Sequence, residues 1–307
     1  MRPNRIIYLL AVAAALLAGG VRAQESSECL DCHEDRELSG KRNGRTISVF
    51  VDAAKLKSSI HASVDCLDCH ADLEGKELPH DDELKRAACG ACHDDIQALH
   101  AKSLHGQAIA RNDPLAPRCQ DCHGSHEVVR AKDARSPVAP LRVPFLCGKC
   151  HQEGAPVQRQ RAIHQGNILE NFSESIHGEG LLKKGLIVAP NCASCHTAHS
   201  ILKHTDPASS IARANIAKTC TQCHAEIEAV HRKVIKGELW EKESHRLPAC
   251  VDCHQPHKVR KVFYDQGMAD KDCMRCHSDG ALKAAADGRS LTVRPDDLSH
   301  SRHAKVS

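Results

Sequence analysis

Nine copies of one five-residue signature, Cys-x-x-Cys-His, run along this 307-residue chain and use all 18 of its cysteines. In order they are Cys29, Cys32 and His33; Cys66, Cys69 and His70; Cys89, Cys92 and His93; Cys119, Cys122 and His123; and Cys147, Cys150 and His151. They continue with Cys192, Cys195 and His196; Cys220, Cys223 and His224; Cys250, Cys253 and His254; and Cys273, Cys276 and His277. The signature is that of a c-type haem attachment site, in which two thiols bond to the porphyrin edge and the adjacent imidazole becomes the proximal iron ligand. The intervening residues vary freely, as they would if only the sulfurs and the imidazole carried the chemistry. Zinc ribbons, redox dithiols and disulfides also use paired cysteines, but none requires a fifth-position His. With 23 His in 307 residues, chance would place one after a given pair roughly one time in thirteen. Here it follows every pair, so the sequence predicts nine covalent haems.

The core must then be unusual. Aromatic residues make up only 2% of the chain, whereas a chain of this length ordinarily buries many large side chains. Porphyrins have to take their place, and without them the chain should not fold, much as zinc fingers fail without zinc. The expected fold is mostly α with extensive irregular loops, built around a haem stack. One small β-hairpin is expected near the N-terminus, where Asn43-Gly44 precedes the alternation Ile47, Val49, Val51 in residues 45–52. Helices are expected over 225–243 and within 156–176.

Arg2 and Arg5 precede an uncharged apolar run, followed by small residues up to Ala23. That pattern describes a secretory signal peptide over 1–23, with an uncleaved anchor as the competing reading. It implies export to the periplasm, with an extracellular location as the alternative. Removing that segment takes three Arg from the 42 basic residues and leaves 39 of each sign, which gives no support for a nucleic-acid face. Pro137, Pro140 and Pro144 suggest a boundary between a tetrahaem part, 24–140, and a pentahaem part, 141–307, or a joint within one continuous stack.

The repeat is a pair of signatures separated by a linker that ends in Ser-x-His or Ser-His. Subtracting nine proximal ligands leaves 14 His, against two methionines after the first residue. Histidine is therefore the expected distal ligand for nearly every iron. The linkers nominate His61, His105, His177 and His245. The pattern C-x-x-C-H-x-x-H nominates His126, His199 and His257. His80 takes that role in the first pair, and His300 or His303 in the tail. His100 and His231, seven residues after a proximal His, compete for these places, and His164 and His204 read as surface or neighbouring groups. Which iron each would serve is open at this stage.

The blocks Ser103-Leu104-His105-Gly106 with Cys119 to His126, and Ser175-Ile176-His177-Gly178 with Cys192 to His199, resemble the decahaem electron-conduit cytochromes of bacterial periplasms. Residues 28–80 resemble class III tetrahaem cytochromes. The resemblance implies a respiratory electron carrier, anaerobic in setting. Its donor would be a membrane quinol dehydrogenase or cytochrome b, and its acceptor a terminal reductase or outer-membrane conduit. It departs from the decahaem type in having nine motifs. Two alternatives remain: a reductase of the nitrite, hydroxylamine or tetrathionate kind with one open haem, and a subunit of an extracellular cytochrome filament. No pair is followed by Lys, the proximal residue such reductases often use, so a carrier without catalytic residues is the favoured expectation.

Overall fold

A computed structural model describes residues 26–80, 84–161, 165–225, 249–259, 274, 277–283 and 287–300. Cα packing divides the chain into two compact units. The first comprises Met1–Ala101 and Pro117–Ala139, and the second Lys102–Ala116 and Pro140–Ser307. The stretch carrying His105 thus packs with the second unit.

Short helices dominate. Most Cys-x-x-Cys-His signatures sit on them: Ser26–His33, Cys66–Cys69, Cys119–His123, Val143–His151, Cys192–His196 and Cys250–Cys253. The reason is geometric. Residues i, i+3 and i+4 share one helical face, so a single turn aims both sulfurs and the imidazole the same way. The third signature begins instead with a 3₁₀ turn, Cys89–Ala91, before the helix Asp94–Lys102.

The anticipated hairpin is present as β1 (Ser39–Arg42) and β2 (Arg45–Ser48), antiparallel, with Gly40 opposite Ile47. Asn43 and Gly44 take φ of 52° and 73°. Positive φ at both central residues is what the tight hairpin turn demands, and Asn-Gly is the pair best able to supply it. The region 156–176 holds two short helices, Pro156–Gln160 and Ile168–Glu174, rather than one. The helix expected over 225–243 lies outside the described residues apart from its first position, as do residues 1–25, which contain the expected signal peptide 1–23, and the tail 301–307. No helix among the described residues is long and apolar enough to cross a membrane.

The apolar core of the described residues is small. It includes Val129, Val143, Phe172, Leu181, Ile216 and several alanines. Alongside these, Ser59, Ser103, Ser136, Ser175 and Ser209 are buried. Buried serines need partners: Ser59 finds one in the distant Val128 carbonyl, and the other four in backbone groups of their own turns or of the chain just before them.

Candidate haem-binding centres

Six signature histidines face a second imidazole across a nearly constant gap. The pairs are His33 with His80 at 5.9 Å between ring centres, His61 with His93 at 6.2 Å, and His70 with His126 at 6.3 Å. The others are His105 with His151 at 6.2 Å, His177 with His224 at 6.0 Å, and His196 with His257 at 5.8 Å. Rings stacked directly would lie closer. A metal about 2 Å from one nitrogen of each ring, hence about 3 Å from each ring centre, spans about 6 Å. Interplanar angles run from 6° to 55°, as expected for rings that share an axis but not a rotation about it.

Each distal member comes from another signature pair or from a linker. Ser-x-His reaches forward: His61, ahead of the second signature, faces the third, His105 faces the fifth, and His177 faces the seventh. The C-H-x-x-H histidine reaches back: His126 faces the second signature and His257 the sixth. His80 faces the first. Of the ten nominated distal residues, these six are thereby brought opposite a signature histidine. His199 lies two residues before Ile201, whose carbonyl accepts the Leu104 N–H at 2.8 Å. His300 Nδ1 bonds the Asp296 carbonyl at 2.7 Å. His245 and His303 are outside the described residues.

The signature histidines His123, His254 and His277 are not members of those six pairs. The sequence expectation of an opposed histidine at every iron therefore rests on six signatures, and two of the remaining nominees, His245 and His303, fall outside the described residues. His254 still occupies the position that its signature requires. Its N–H donates to Cys250 O at 2.8 Å, closing one helical turn, as the N–H of His70 does to Cys66 O at 2.9 Å and that of His224 to Cys220 O at 3.1 Å. That bond stacks the imidazole-bearing residue over the first cysteine of its own signature.

Forward- and backward-reaching histidines are laced together by one recurring bond. Ile60 N–H donates to Val128 O at 2.8 Å, Leu104 N–H to Ile201 O at 2.8 Å, and Ile176 N–H to Val259 O at 2.7 Å. In each case the donor precedes a Ser-x-His histidine and the acceptor lies two residues beyond a C-H-x-x-H histidine. The linker serine fixes the first. Ser103 and Ser175, each 1% exposed, accept from Gly106 N–H at 3.1 Å and Gly178 N–H at 2.9 Å. Those are N-caps on turns whose second residue is the nominated histidine. Ser59 Oγ donates instead to Val128 O at 2.8 Å.

Signature thiols adjoin in chain order. The thiols of Cys29 and Cys66, of Cys89 and Cys119, of Cys147 and Cys192, and of Cys220 and Cys250 are hydrogen-bonded neighbours. Second cysteines also come near each other, Cys69 to Cys92 and Cys195 to Cys223. The second cysteines of the first, fourth and fifth signatures are open to a ring as well: Cys32 is exposed, and Cys122 and Cys150 are half-buried. None of the fifteen cysteines whose side chains are described is buried. Cys273 and Cys276, the ninth pair, lie outside the described residues. No group of three or more His, Cys, Asp or Glu gathers as a metal cage among the described residues. Two imidazoles alone do not make a zinc site. A planar macrocycle can supply the remaining ligands of a metal held between two imidazoles, and accessible paired thiols beside them are what tether such a ring.

The comparisons agree. The sequence profile of the Cytochrome c3 family matches residues 58–152. The Cytochrome c-type protein NrfB of Escherichia coli O6:H1 is 30% identical over 95 residues, 28% of this chain and 50% of that protein. The chain thus matches about half the length of that relative. No solved structure matches. The chain is a multihaem c-type cytochrome.

The residues of this cytochrome fit haem in charge as well as geometry. Burial pushes His70, His126, His151, His177 and His196 below the ordinary imidazole range, and holds His257 down to about 4. They are neutral near pH 7, the state in which an imidazole ligates. His33 Nδ1 donates to Val49 O at 2.8 Å, His277 Nδ1 to Leu291 O at 2.7 Å, and His257 Nδ1 to Gln165 Oε1 at 2.5 Å. A proton fixed on Nδ1 leaves the Nε2 lone pair for the metal.

Two signals escaped the sequence reading. The residues between the cysteines do not vary freely in the second, fourth and sixth signatures. There Asp68, Asp121 and Ser194 accept from the N–H of Asp65, Arg118 and Asn191 at 3.1, 2.7 and 3.1 Å, closing the turn that presents the sulfurs. Aligning alternate signatures, rather than all nine, exposes this Cys-x-Asp/Ser-Cys pattern. The second is a turn repeated fourteen residues ahead of Cys147 and of Cys220. Asp133 and Asp206 carboxylates accept from Arg135 and Ala208 N–H at 2.9 Å. Buried Ser136 and Ser209 then accept from Val138 and Ile211 N–H at 3.3 Å.

Proposed function

We propose that this cytochrome is a nonahaem electron carrier of the bacterial periplasm, with each Cys-x-x-Cys-His binding one haem and the opposed histidines closing the second axial position. In this reading Cys32, Cys122, Cys150 and Cys276 each supply the second thioether of their haem, and His254 is the proximal ligand of the eighth. The observation that carries the reading is the set of six imidazole pairs at 5.8–6.3 Å. An iron closed on both faces passes electrons without binding substrate. Haem supplies the one-electron Fe(III)/Fe(II) couple. The chain's part is to set ligation, spacing and environment.

The thiol contacts support a haem order that follows the sequence. The first to fourth signatures adjoin successively within one unit, and the fifth to eighth within the other. Neighbouring porphyrin edges would then lie side by side, and electrons would pass between them without long gaps. We propose a quinol-oxidising membrane protein as donor and a periplasmic or extracellular reductase or conduit as acceptor, on the strength of the signal-like leader and the resemblance to conduit cytochromes. Neither the relative's name nor its half-length match extends to partners.

Protein-film voltammetry of the full protein tests the carrier reading. The expected result is reversible reduction of all haems, unchanged by nitrite, hydroxylamine or tetrathionate. A catalytic current with any of the three would replace the carrier with a reductase. Growth of ordered polymers with haem content unchanged would favour the filament subunit.

A further inference from the structure

The first and ninth signatures carry the same local device, found beside none of the other described ones. After His33 the chain makes the β1–β2 hairpin and returns so that Val49 N–H donates to Leu38 O at 3.3 Å and Val51 N–H to His33 O at 2.7 Å. After His277 the described residues on either side of 284–286 pair in the same way, with the return two residues sooner. Leu291 N–H donates to Leu282 O at 2.9 Å, Val293 N–H to His277 O at 2.7 Å, and Lys283 bridges Ser290. Gly44 and Gly288 take φ of 73° and 68° in the two turns. A five-residue helix follows each, Ala53–Lys57 and Pro295–Ser299. In both, the returning strand aims one carbonyl at the signature imidazole: Val49 O at His33 Nδ1 and Leu291 O at His277 Nδ1.

We propose that these hairpins are redox-tuning clasps, which lower the potentials of the first and ninth haems relative to their neighbours. The inference rests on the haem-ligation reading above. An imidazole that donates its Nδ1 proton to a carbonyl is a more basic ligand through its other nitrogen. A more basic axial ligand stabilises Fe(III) over Fe(II), and outer hydrogen bonding is one of the protein's levers on haem potential. His70 supplies the contrast. Its Nδ1 is buried and has no hydrogen-bond partner, and its signature adjoins the first through the Cys29–Cys66 thiol contact. The two neighbouring sites thus differ in this ligand hydrogen bond, present at His33 and absent at His70. The step affected is uptake of one electron by Fe(III) from a chemical reductant or an adjacent haem. No bond breaks, and the Nδ1 proton stays in place. An electron arriving at the first haem would pass readily to the second, so the terminal haem sheds charge inward.

Reductive titration of the full, haem-loaded protein with dithionite tests this, followed by NMR of haem methyl signals assigned through contacts with the His33, His70 and His277 ring protons. The expected order is reduction of the His70 haem before the His33 haem, with the His277 haem also among the last. Val51→Pro removes the N–H that docks the first return strand and should raise the potential of the His33 haem alone. Val293→Pro should do the same for the His277 haem. Haem content and the low-spin spectrum of the same samples report on ligation separately. A full set of low-spin haems with the His33 haem reduced before the His70 haem overturns the clasp while leaving ligation intact. Loss of low-spin haem at His33 in the unaltered protein overturns both. If Val51→Pro does not fold, the wild-type reduction order decides.

Discussion

Gly178→Ala should open one iron, and the structure says how. Gly178 follows His177 in the turn that Ser175 caps, pressed against the preceding helix. A Cβ there would collide with the Phe172 carbonyl oxygen and lie 2.7 Å from the Phe172 carbonyl carbon and 2.9 Å from Ser173 Cα. These are backbone atoms, which cannot swing aside. Ordinary contact begins at 3.4 Å, so the turn must retreat by about 1 Å. A ligand bond of about 2 Å does not survive a misplacement of that size. Overpacking of this kind costs about 1–3 kcal/mol, a roughly 5- to 150-fold weakening of the closed iron–His177 state. The assay is the high-spin ferric signal of the oxidised protein by electron paramagnetic resonance, with carbon monoxide binding to the reduced form. One haem, that of the seventh signature, should convert. Ala62, at the same place after His61, lies in a turn whose serine bonds Val128 instead of capping a helix, so Ala62→Gly should change neither readout. A Gly178→Ala protein with unchanged low-spin content and denaturation midpoint would refute the reasoning.

Other outcomes follow from the same geometry. His126→Ala should produce a high-spin haem on Cys66 and Cys69, detected by spectroscopy against a background in which those two cysteines are replaced; conversion of the haem on Cys119 and Cys122 instead would contradict the backward reach. Ser103→Ala removes the Gly106 cap and should cost about 1–2 kcal/mol in denaturant unfolding, more than exposed Ser58→Ala. The Arg135 guanidinium and backbone N–H hold the Asp133 carboxyl down to about 2. A carboxylate depressed in the folded state contributes stability above its unfolded pKa, and that contribution fades as pH falls through the folded value, here from about 4 to 2. An NMR titration should place Asp133 near 2 and Arg135→Ala should return it toward the ordinary range, with both effects weakened by salt because the pair is exposed. In the proposed haem order each haem would bring propionates close to its neighbours, where unit charges ~8 Å apart at an effective dielectric of ~20 interact by ~2 kcal/mol. Midpoint potentials should therefore spread widely and fall as pH rises, and a single sharp, pH-independent wave would contradict packed haems.

The chemistry of this chain was far more legible in its sequence than its connectivity. The nine signatures are local, written in five residues, and most of the described ones sit on a single helical turn. The distal candidates His61, His105, His126, His177 and His257 stand out because they recur at fixed offsets, and His80 because it takes the later-histidine role in the first pair. Their destinations could not be read. The pairing of His126 with His70 is accompanied by a backbone bond between Ile60 and Val128, a contact made by folding between segments far apart in the sequence. The second clasp went unread for another reason. Asp287-Gly288 resembles Asn43-Gly44, but a single bridge, Lys283 to Ser290, stands beside it, and the flanking residues lack the period-two alternation that marks 45–52. The varied residues inside the signatures looked meaningless until alternate copies were compared, because Asp and Ser serve the same cap.

Electron paramagnetic resonance of the fully oxidised, full-length protein tests the central claim most directly. Imidazole pairs at 5.8–6.3 Å predict that the irons of those six signatures are low-spin with two nitrogen ligands, and the spectrum should integrate to low-spin ferric haem with no stoichiometric high-spin signal. A high-spin signal equal to one haem or more from these signatures, or a protein whose cysteines alkylate freely and carry zinc, would contradict it.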